Sequence, residues 1–185
     1  MTGPPPHIAR LVARLELTGT ERILELGAAP GAAAAAIGPL LSGDGHLTAL
    51  DRSAAGVRRI RERNRALLDA GRVSVVEQDL TTLAPEPPGR FDVIFASNVN
   101  VFWTQPLRAN VDALAALLAP GGRLRLFYGY GPGYGAGGGR DTGSLVAATL
   151  RACAALADVT VDAAGPTLEV SARTGTRPGR RGRRC

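Results

Sequence analysis

Between the apolar pair Ile23-Leu24 and the alanine-rich run from Ala32 to Ile37, the chain carries Glu25-Leu26-Gly27-Ala28-Ala29-Pro30-Gly31, a turn built almost entirely of small residues. A strand that ends in such a turn and re-enters as a helix brings bare backbone up to a ligand. This is the arrangement of a nucleotide-type binding loop in an α/β fold.

The order of small and acidic residues narrows the ligand. Dinucleotide sites space their glycines as Gly-x-Gly-x-x-Gly and pack a pyrophosphate against a helix N-terminus. Here the spacing is Gly27-x-Ala29-x-Gly31, and a carboxylate, Glu25, stands two residues before the first glycine. A carboxylate beside the loop repels a pyrophosphate but suits a cation, such as the amino group and sulfonium of S-adenosylmethionine. A tight turn with no ligand also accommodates the loop taken alone.

The remaining chain alternates strands and helices. Ile8, Leu11, Val12 and Leu15 recur at helical spacing with Arg10 and Arg14 opposite, which predicts a short amphipathic opening helix. Strands are expected over 21–26, 46–50, 72–78, 91–96 and 123–128, the fourth a continuous apolar run suited to burial on both faces. Helices are expected over 31–41, interrupted at Gly38-Pro39, and through the segment carrying Val57, Ile60, Leu67 and Leu68. A further helix should be capped by Thr104 with Pro106 in its first turn, bury Leu107, Val111, Leu114 and Leu118, and end at Pro120-Gly121-Gly122. A last helix over 144–156 precedes two strands, 159–162 and 167–171, joined by Gly165-Pro166. The expected fold is a single α/β domain, Rossmann-like and doubly wound, with a mostly parallel seven-stranded sheet closed by a C-terminal antiparallel hairpin.

At 185 residues one domain is expected, over 1–172, followed by an arginine- and glycine-rich tail over 173–185 that has almost nothing apolar to bury. All 22 basic residues are arginine, which removes lysine Schiff-base and lysine general-base chemistry. The net charge of +6 belongs to the tail, because six arginines follow the last acid, Glu169, and the preceding body is formally neutral. A solvated extension or an electrostatic arm for nucleic acid both fit it. Cys153 and Cys185 have neither disulfide nor metal-ligand spacing, and no metal is expected. With no secretory leader and no apolar run of spanning length, a cytoplasmic protein is expected.

Ligands of an open α/β sheet bind outside the carboxyl ends of its strands. That rule gathers Glu25 and Gly27, Asp51, Asp79, and Ser97-Asn98 at the ends of four successive strands. Asp51 lies 20 positions after Gly31, which suits a carboxylate accepting ribose hydroxyls, although a helix-cap role before Ser53 is open to it. Asp79 could accept an exocyclic amine or serve as a turn cap before Leu80-Thr81. Arg52, Gln78 and Leu80 sit beside these acids, and Leu80 and Ala96 could enclose a purine. His7 is a candidate base near the opening helix, whereas His46 starts the second strand at the far edge.

Taken in order, Glu25 to Gly31, Asp51, Gln78-Asp79, Phe91 to Asn98 and Leu118-Ala119-Pro120-Gly121-Gly122 resemble the successive motifs of class I S-adenosylmethionine-dependent methyltransferases. The resemblance covers residues 8 to 172. The stretch Ala96 to Trp103, with Leu126-Phe127-Tyr128, is also similar to small stand-alone bacterial methyltransferases of unassigned substrate. The resemblance implies S-adenosylmethionine as cofactor. Glu25, Gly27, Ala29 and Gly31 would hold its amino-acid end, Asp51 and Arg52 its ribose, and Gln78, Asp79 and Leu80 its adenine, with Asn98 beside them. Where the family usually has a second glycine, this chain has Ala29, whose methyl group could crowd the cofactor.

Acceptor contacts are expected from the loops after the fourth and fifth strands, through Asn100, Phe102, Trp103, Tyr128 and Tyr130. No substrate domain is inserted between strands, which favours a small-molecule acceptor. Asn98 is not followed by the Pro-Pro-aromatic sequence of many nucleic-acid amino methyltransferases. Two alternatives stay open: a nucleic-acid or protein methyltransferase steered by the tail, and a binding module that has lost methyl transfer.

Overall fold

The computed structural model describes residues 3–83, 90–104, 108–129, 140–163 and 167–175. Its elements follow in the order α1 (Pro6–Leu15), β1 (Arg22–Leu26), α2 (Ala32–Ile37), β2 (His46–Asp51), α3 (Ala54–Arg63), α4 (Arg65–Asp69), β3 (Val73–Glu77), β4 (Phe91–Ser97), α5 (Val101–Thr104), α6 (Arg108–Leu117), β5 (Leu118–Tyr128), α7 (Arg140–Arg151), β6 (Leu156–Asp162) and β7 (Leu168–Thr174). The seven strands form one sheet in the order β3-β2-β1-β4-β5-β7-β6. The first five pair in parallel, and β7 runs antiparallel to both β5 and β6. This is the seven-stranded, mostly parallel sheet with a C-terminal hairpin that the element pattern predicts. Chain order reverses between β1 and β4, which opens a crevice at their carboxyl ends.

Alternate side chains enter two apolar layers. Ile23, Leu47, Val93, Phe95 and Phe127 meet α1 and α2 on one face, while Leu24, Leu26, Ile94, Leu124 and Leu126 meet α6 and α7 on the other. Burial on both faces is why these strands read as nearly continuous apolar runs.

Several boundaries differ from the sequence expectation, each for a local reason. Pro39 lacks an N–H, so α2 stops at Ile37 and continues as one 3₁₀ turn over Gly38–Leu40. The helix expected through Leu68 breaks at Asn64, which leaves helical geometry while its Nδ2 donates to the Ile60 carbonyl at 2.9 Å. Thr104 closes the short helix α5 rather than capping α6, and Leu107 falls outside the described residues. Leu118 belongs to β5, because the strand starts immediately after α6 and carries Pro120-Gly121-Gly122 across a register shift opposite Phe91 and Val93. Leu156 likewise starts β6 instead of ending α7. Finally β7 runs through Thr174, whose hydroxyl donates to the Ala119 carbonyl at 2.6 Å, so Arg173 and Thr174 are sheet residues and not tail.

Arg14, expected on the solvated face of α1, reaches the C-terminal hairpin at the sheet edge instead. Its Nε donates to Glu169 at 2.7 Å and its Nη2 pairs with Asp162, while the other Glu169 oxygen accepts from Arg125 Nε at 2.6 Å. Arg125 also donates to the carbonyl of Arg14. This network ties α1 across β5, β7 and β6. Among the described residues no helix is long and apolar enough to cross a membrane.

Candidate functional site

The chain reversal between β1 and β4 holds a cavity of about 600 Å³. That volume lies within the ~300–1,000 Å³ typical of small-molecule sites. Four strand ends build its wall: Gly27 after β1; Leu50, Asp51 and Arg52 from β2; Gln78 to Thr81 after β3; and Asn98 to Val101 after β4. The backbone N–H of Gln78 donates to the Asp51 carbonyl at 3.0 Å, which carries the sheet ladder one step beyond β3 and brings the third rim segment against the second.

The glycine turn is held from below by hydrogen bonds. Ala28 N–H donates to the Leu50 carbonyl at 3.0 Å, and Ala29 N–H donates to Asp51 Oδ2 at 3.1 Å. Asp51 Oδ1 accepts from Ser53 N–H at 3.0 Å, while Ser53 itself caps α3 by accepting from Gly56 N–H at 2.9 Å. The cap of α3 is therefore Ser53. Asp51 spends one lone pair of each oxygen on backbone and keeps the second on each for a ligand.

Two glycines here need their missing side chains. Gly27 has φ +67°, and a Cβ on it would lie 2.8 Å from Val99 Cγ2, so the segment after β4 closes directly over the turn. Gly31 has φ +82°, and its Cβ would lie 2.6 Å from Asn64 Nδ2, which donates to the Gly31 carbonyl at 3.1 Å. Gly31→Ala should therefore lose about 2–4 kcal/mol of stability, through left-handed backbone strain and overpacking together. A urea unfolding midpoint unchanged from wild type would contradict that.

Glu25 sits behind the turn, 6 % exposed, on the same sheet face as Asp51. Its Oε2 has no hydrogen-bond partner among the described residues. Burial pushes the Glu25 carboxyl up to about 8, Asp51 reinforces the rise, and the Ala34 N–H at the start of α2 opposes it. A buried acid oxygen with no partner, directly behind a ligand-facing turn, fits a site that receives a cationic group. Asp79 is held in the opposite direction, below the usual carboxylate range, by the Thr81 N–H and hydroxyl at 2.8 and 2.7 Å, with Arg52 nearby. Both of those bonds end on Oδ1, so Asp79 is a turn cap that leaves Oδ2 for a ligand.

Asn98 adopts φ +57° and joins two strand ends: its N–H donates to the Phe127 carbonyl at 2.7 Å and its Oδ1 accepts from Gly129 N–H at 2.9 Å. Of the expected site residues, Gly27, Asp51, Arg52, Gln78, Asp79, Leu80, Asn98 and Asn100 line the cavity. Ala29 does not crowd it, because its methyl packs against the apolar layer beneath α1 and α2. Phe102 and Tyr128, expected to face the acceptor, are each 1 % exposed and packed in the core beside α6 and α7, outside the cavity wall. The pleat of β5 is the reason for Tyr128, since it points Leu124, Leu126 and Tyr128 to that face together. Burial also raises the Tyr128 hydroxyl far above its ordinary range. Trp103 lies in α5, and Tyr130 falls outside the described residues. His7 is in α1 away from the wall, and His46 is held at the opposite end of β2 by the Gly71 carbonyl and the Ser74 hydroxyl, each at 3.0 Å.

Sequence reasoning missed Leu50, Thr81, Val99 and Val101 in the wall, and Asn64 beneath it. Thr81 was detectable as the partner of an Asx turn at Asp79. Asn64 left only one faint signal, a polar residue inside a helical apolar stripe.

Comparison with known proteins agrees with this geometry. A family model described as a methyltransferase domain matches residues 23–122. No match was found among curated protein sequences. Among solved structures, the chain is similar to an S-adenosylmethionine-dependent methyltransferase from Aquifex aeolicus, at 16 % identity and TM-score 0.70, covering 92 % of this chain and 94 % of that one. It is also similar to the S-adenosylmethionine-dependent methyltransferase SibL, at 21 % identity and TM-score 0.69, covering 92 % and 55 %. Similarity to the YcgJ protein of Bacillus subtilis is 21 % in identity with TM-score 0.55, covering 65 % and 49 %. The chain thus spans about half the length of the last two. With the family model running from β1 to the start of β5 and a sheet of matching topology, this chain belongs to the methyltransferase-domain family and has the fold of class I S-adenosylmethionine-dependent methyltransferases.

Proposed function

We propose that this chain catalyses transfer of the methyl group of S-adenosylmethionine to a small-molecule acceptor. The observation that supports it most is the convergence of Asp51 and Asp79 on one cavity, with the Glu25 carboxyl behind its glycine turn, whose Oε2 has no partner among the described residues. When bound, the cofactor supplies a methyl group on a sulfonium, so the protein's part is to align, enclose and exclude water. Asp51 would accept ribose hydroxyls through its remaining lone pairs, with Arg52 alongside. Asp79 Oδ2 would accept the adenine amine, with Gln78 beside it and Leu80 against the ring. The Gly27 backbone, with Ala29 and Gly31 shaping the turn and Glu25 behind it, would receive the amino-acid end. Asn98, Val99, Asn100 and Val101 form the wall left for the acceptor, with Trp103 following in α5. Short connections between the described strands support an acceptor of metabolite size.

Calorimetry with S-adenosylmethionine and its demethylated product, followed by radiolabelled methyl transfer to a fractionated cell extract, tests this reading. Label appearing in the small-molecule fraction is the expected result, and label confined to macromolecules would refute the acceptor class. Asp51→Ala should weaken cofactor binding by about 1–3 kcal/mol, roughly 5- to 150-fold, through loss of charge-assisted hydrogen bonds. Unchanged affinity in that variant would remove Asp51 from the site.

The six arginines after Glu169 favour a second reading, a nucleic-acid or protein methyltransferase. Because Arg173 and Thr174 belong to β7, the truncation that isolates the tail begins after Gly175. It should leave metabolite methylation intact, whereas loss of macromolecule binding and turnover would favour the second reading.

A further inference from the structure

We infer that Glu25 is a neutral carboxylic acid in the ligand-free protein and gives up its proton when the cationic amino group of the cofactor docks, so that binding and release of one proton are a single linked event. The inference rests on the S-adenosylmethionine reading of the site and adds to it the charge state in which the site waits.

The geometry makes two adjacent carboxyl groups unequal. Asp51 and Glu25 lie on neighbouring parallel strands and point to the same face, since Glu25 is in register with Ala49, two residues before Asp51. Asp51 accepts two backbone N–H bonds, from Ala29 and Ser53, so its negative charge is compensated where it sits. Glu25 has an oxygen with no partner and 6 % exposure, so its charge would have almost no solvent to screen it. Where two acids share a site, the one that is less solvated and less hydrogen-bonded takes the proton.

The groups that face Glu25 are few. From β2 comes Asp51, a like charge, and from the start of α2 comes the Ala34 N–H, the opposing influence. From β4 its register partner is Phe95, and the same layer receives Leu11 and Leu15 from α1. Arg14 of α1 is engaged by Glu169 and Asp162. No cation among the described residues offsets a charge on Glu25, and the upward displacement of its carboxyl agrees with that environment.

Docking of an ammonium group supplies the missing positive charge. The Glu25 O–H bond then breaks, its electron pair stays on the carboxylate, and the proton leaves to the buffer base, while the ligand ammonium keeps all its own protons. At pH 6.5 a free α-amino group, which titrates near 7.7–8.0, is already charged and contributes no proton of its own. The site is therefore electrically matched to its cofactor only after that proton has left. Empty, it avoids holding a second, uncompensated negative charge beside Asp51.

The test is calorimetry of the full chain with S-adenosylmethionine and with S-adenosylhomocysteine at pH 6.5, in buffers of differing ionisation enthalpy. The dependence of apparent heat on that enthalpy counts the protons. About one proton should be released per ligand bound to wild type, and Kd should fall close to tenfold per pH unit between pH 6 and 7. Glu25→Gln should bind with no proton released. Measurable binding to wild type with no proton released overturns this inference and leaves the cofactor reading standing, whereas no binding of either ligand at millimolar concentration overturns the cofactor reading itself. Proton release persisting in Glu25→Gln also overturns the inference. Should that variant fail to fold, infrared difference spectra of wild type decide instead: loss of a protonated-carboxyl stretch on ligand addition supports the assignment, and its persistence refutes it.

Discussion

Glu169→Ala should lower the stability of the folded chain by about 3–5 kcal/mol, because it takes the nearest carboxylate from the buried Arg125 guanidinium and leaves it only the exposed Glu16 carboxylate at 3.8 Å and the Arg14 carbonyl. The Glu169 and Arg125 side chains are 5 % and 13 % exposed, and Arg125 lies over the Phe127 ring at 5.7 Å, so water cannot replace the lost carboxylate. Arg14 loses one of its two carboxylate partners in the same step and keeps Asp162, which weakens the tie of α1 to the strands it spans. For a chain of this size the loss corresponds to a fall in melting temperature of roughly 10 °C. Glu169→Gln, which keeps two hydrogen-bonding atoms, should recover part of it. Thermal unfolding of the two variants checks the prediction, and an alanine variant within 1 °C of wild type would show that the network contributes nothing net.

The second large effect is a dependence on pH carried by Glu25. A carboxyl raised on folding from 4.5 to about 8 contributes stability that is complete below the unfolded value and is lost as pH rises through the folded one. Each unit of displacement is worth about 1.4 kcal/mol, so roughly 3–5 kcal/mol should disappear between pH 4.5 and pH 9 in the ligand-free chain. Glu25→Gln has no proton to lose there. The stability of the variant minus that of wild type should therefore rise with pH over that window, and any constant cost of the buried amide cancels in the slope. Urea titrations at four or five pH values would measure it. Parallel curves for the two proteins would show that Glu25 does not titrate in this range.

How much of the site was legible in sequence can be judged residue by residue. Asp51, Asp79 and Asn98 were identifiable because each follows an apolar run at the point where a parallel strand must end, a local signal that needs no partner. Thr81 was available as the partner of the Asx turn at Asp79. Phe102 and Tyr128 were not, since an aromatic residue beside a loop is compatible with a pocket or a core, and only the facing helices decide which. The same holds for Asn64: its capture of the Gly31 carbonyl links residues 33 positions apart, and nothing local encodes that. Ala29 is a further case: its methyl packs against the apolar layer while its N–H donates to the Asp51 carboxylate, an orientation that no local pattern encodes.

Sequence alone therefore determined the alternation of strands and helices, the glycine turn, and which strands end in acids, because hydrophobic period, turn chemistry and helix breakers act over a few residues. Tertiary structure decided what those pieces face. It drew Arg14 from the expected solvated face of α1 onto Glu169 and Asp162, extended the sheet through Thr174, buried Phe102 and Tyr128, and left Glu25 Oε2 behind its turn with no hydrogen-bond partner among the described residues. Those outcomes depend on contacts between distant segments, whose desolvation and pairing energies exist only once the sheet has closed.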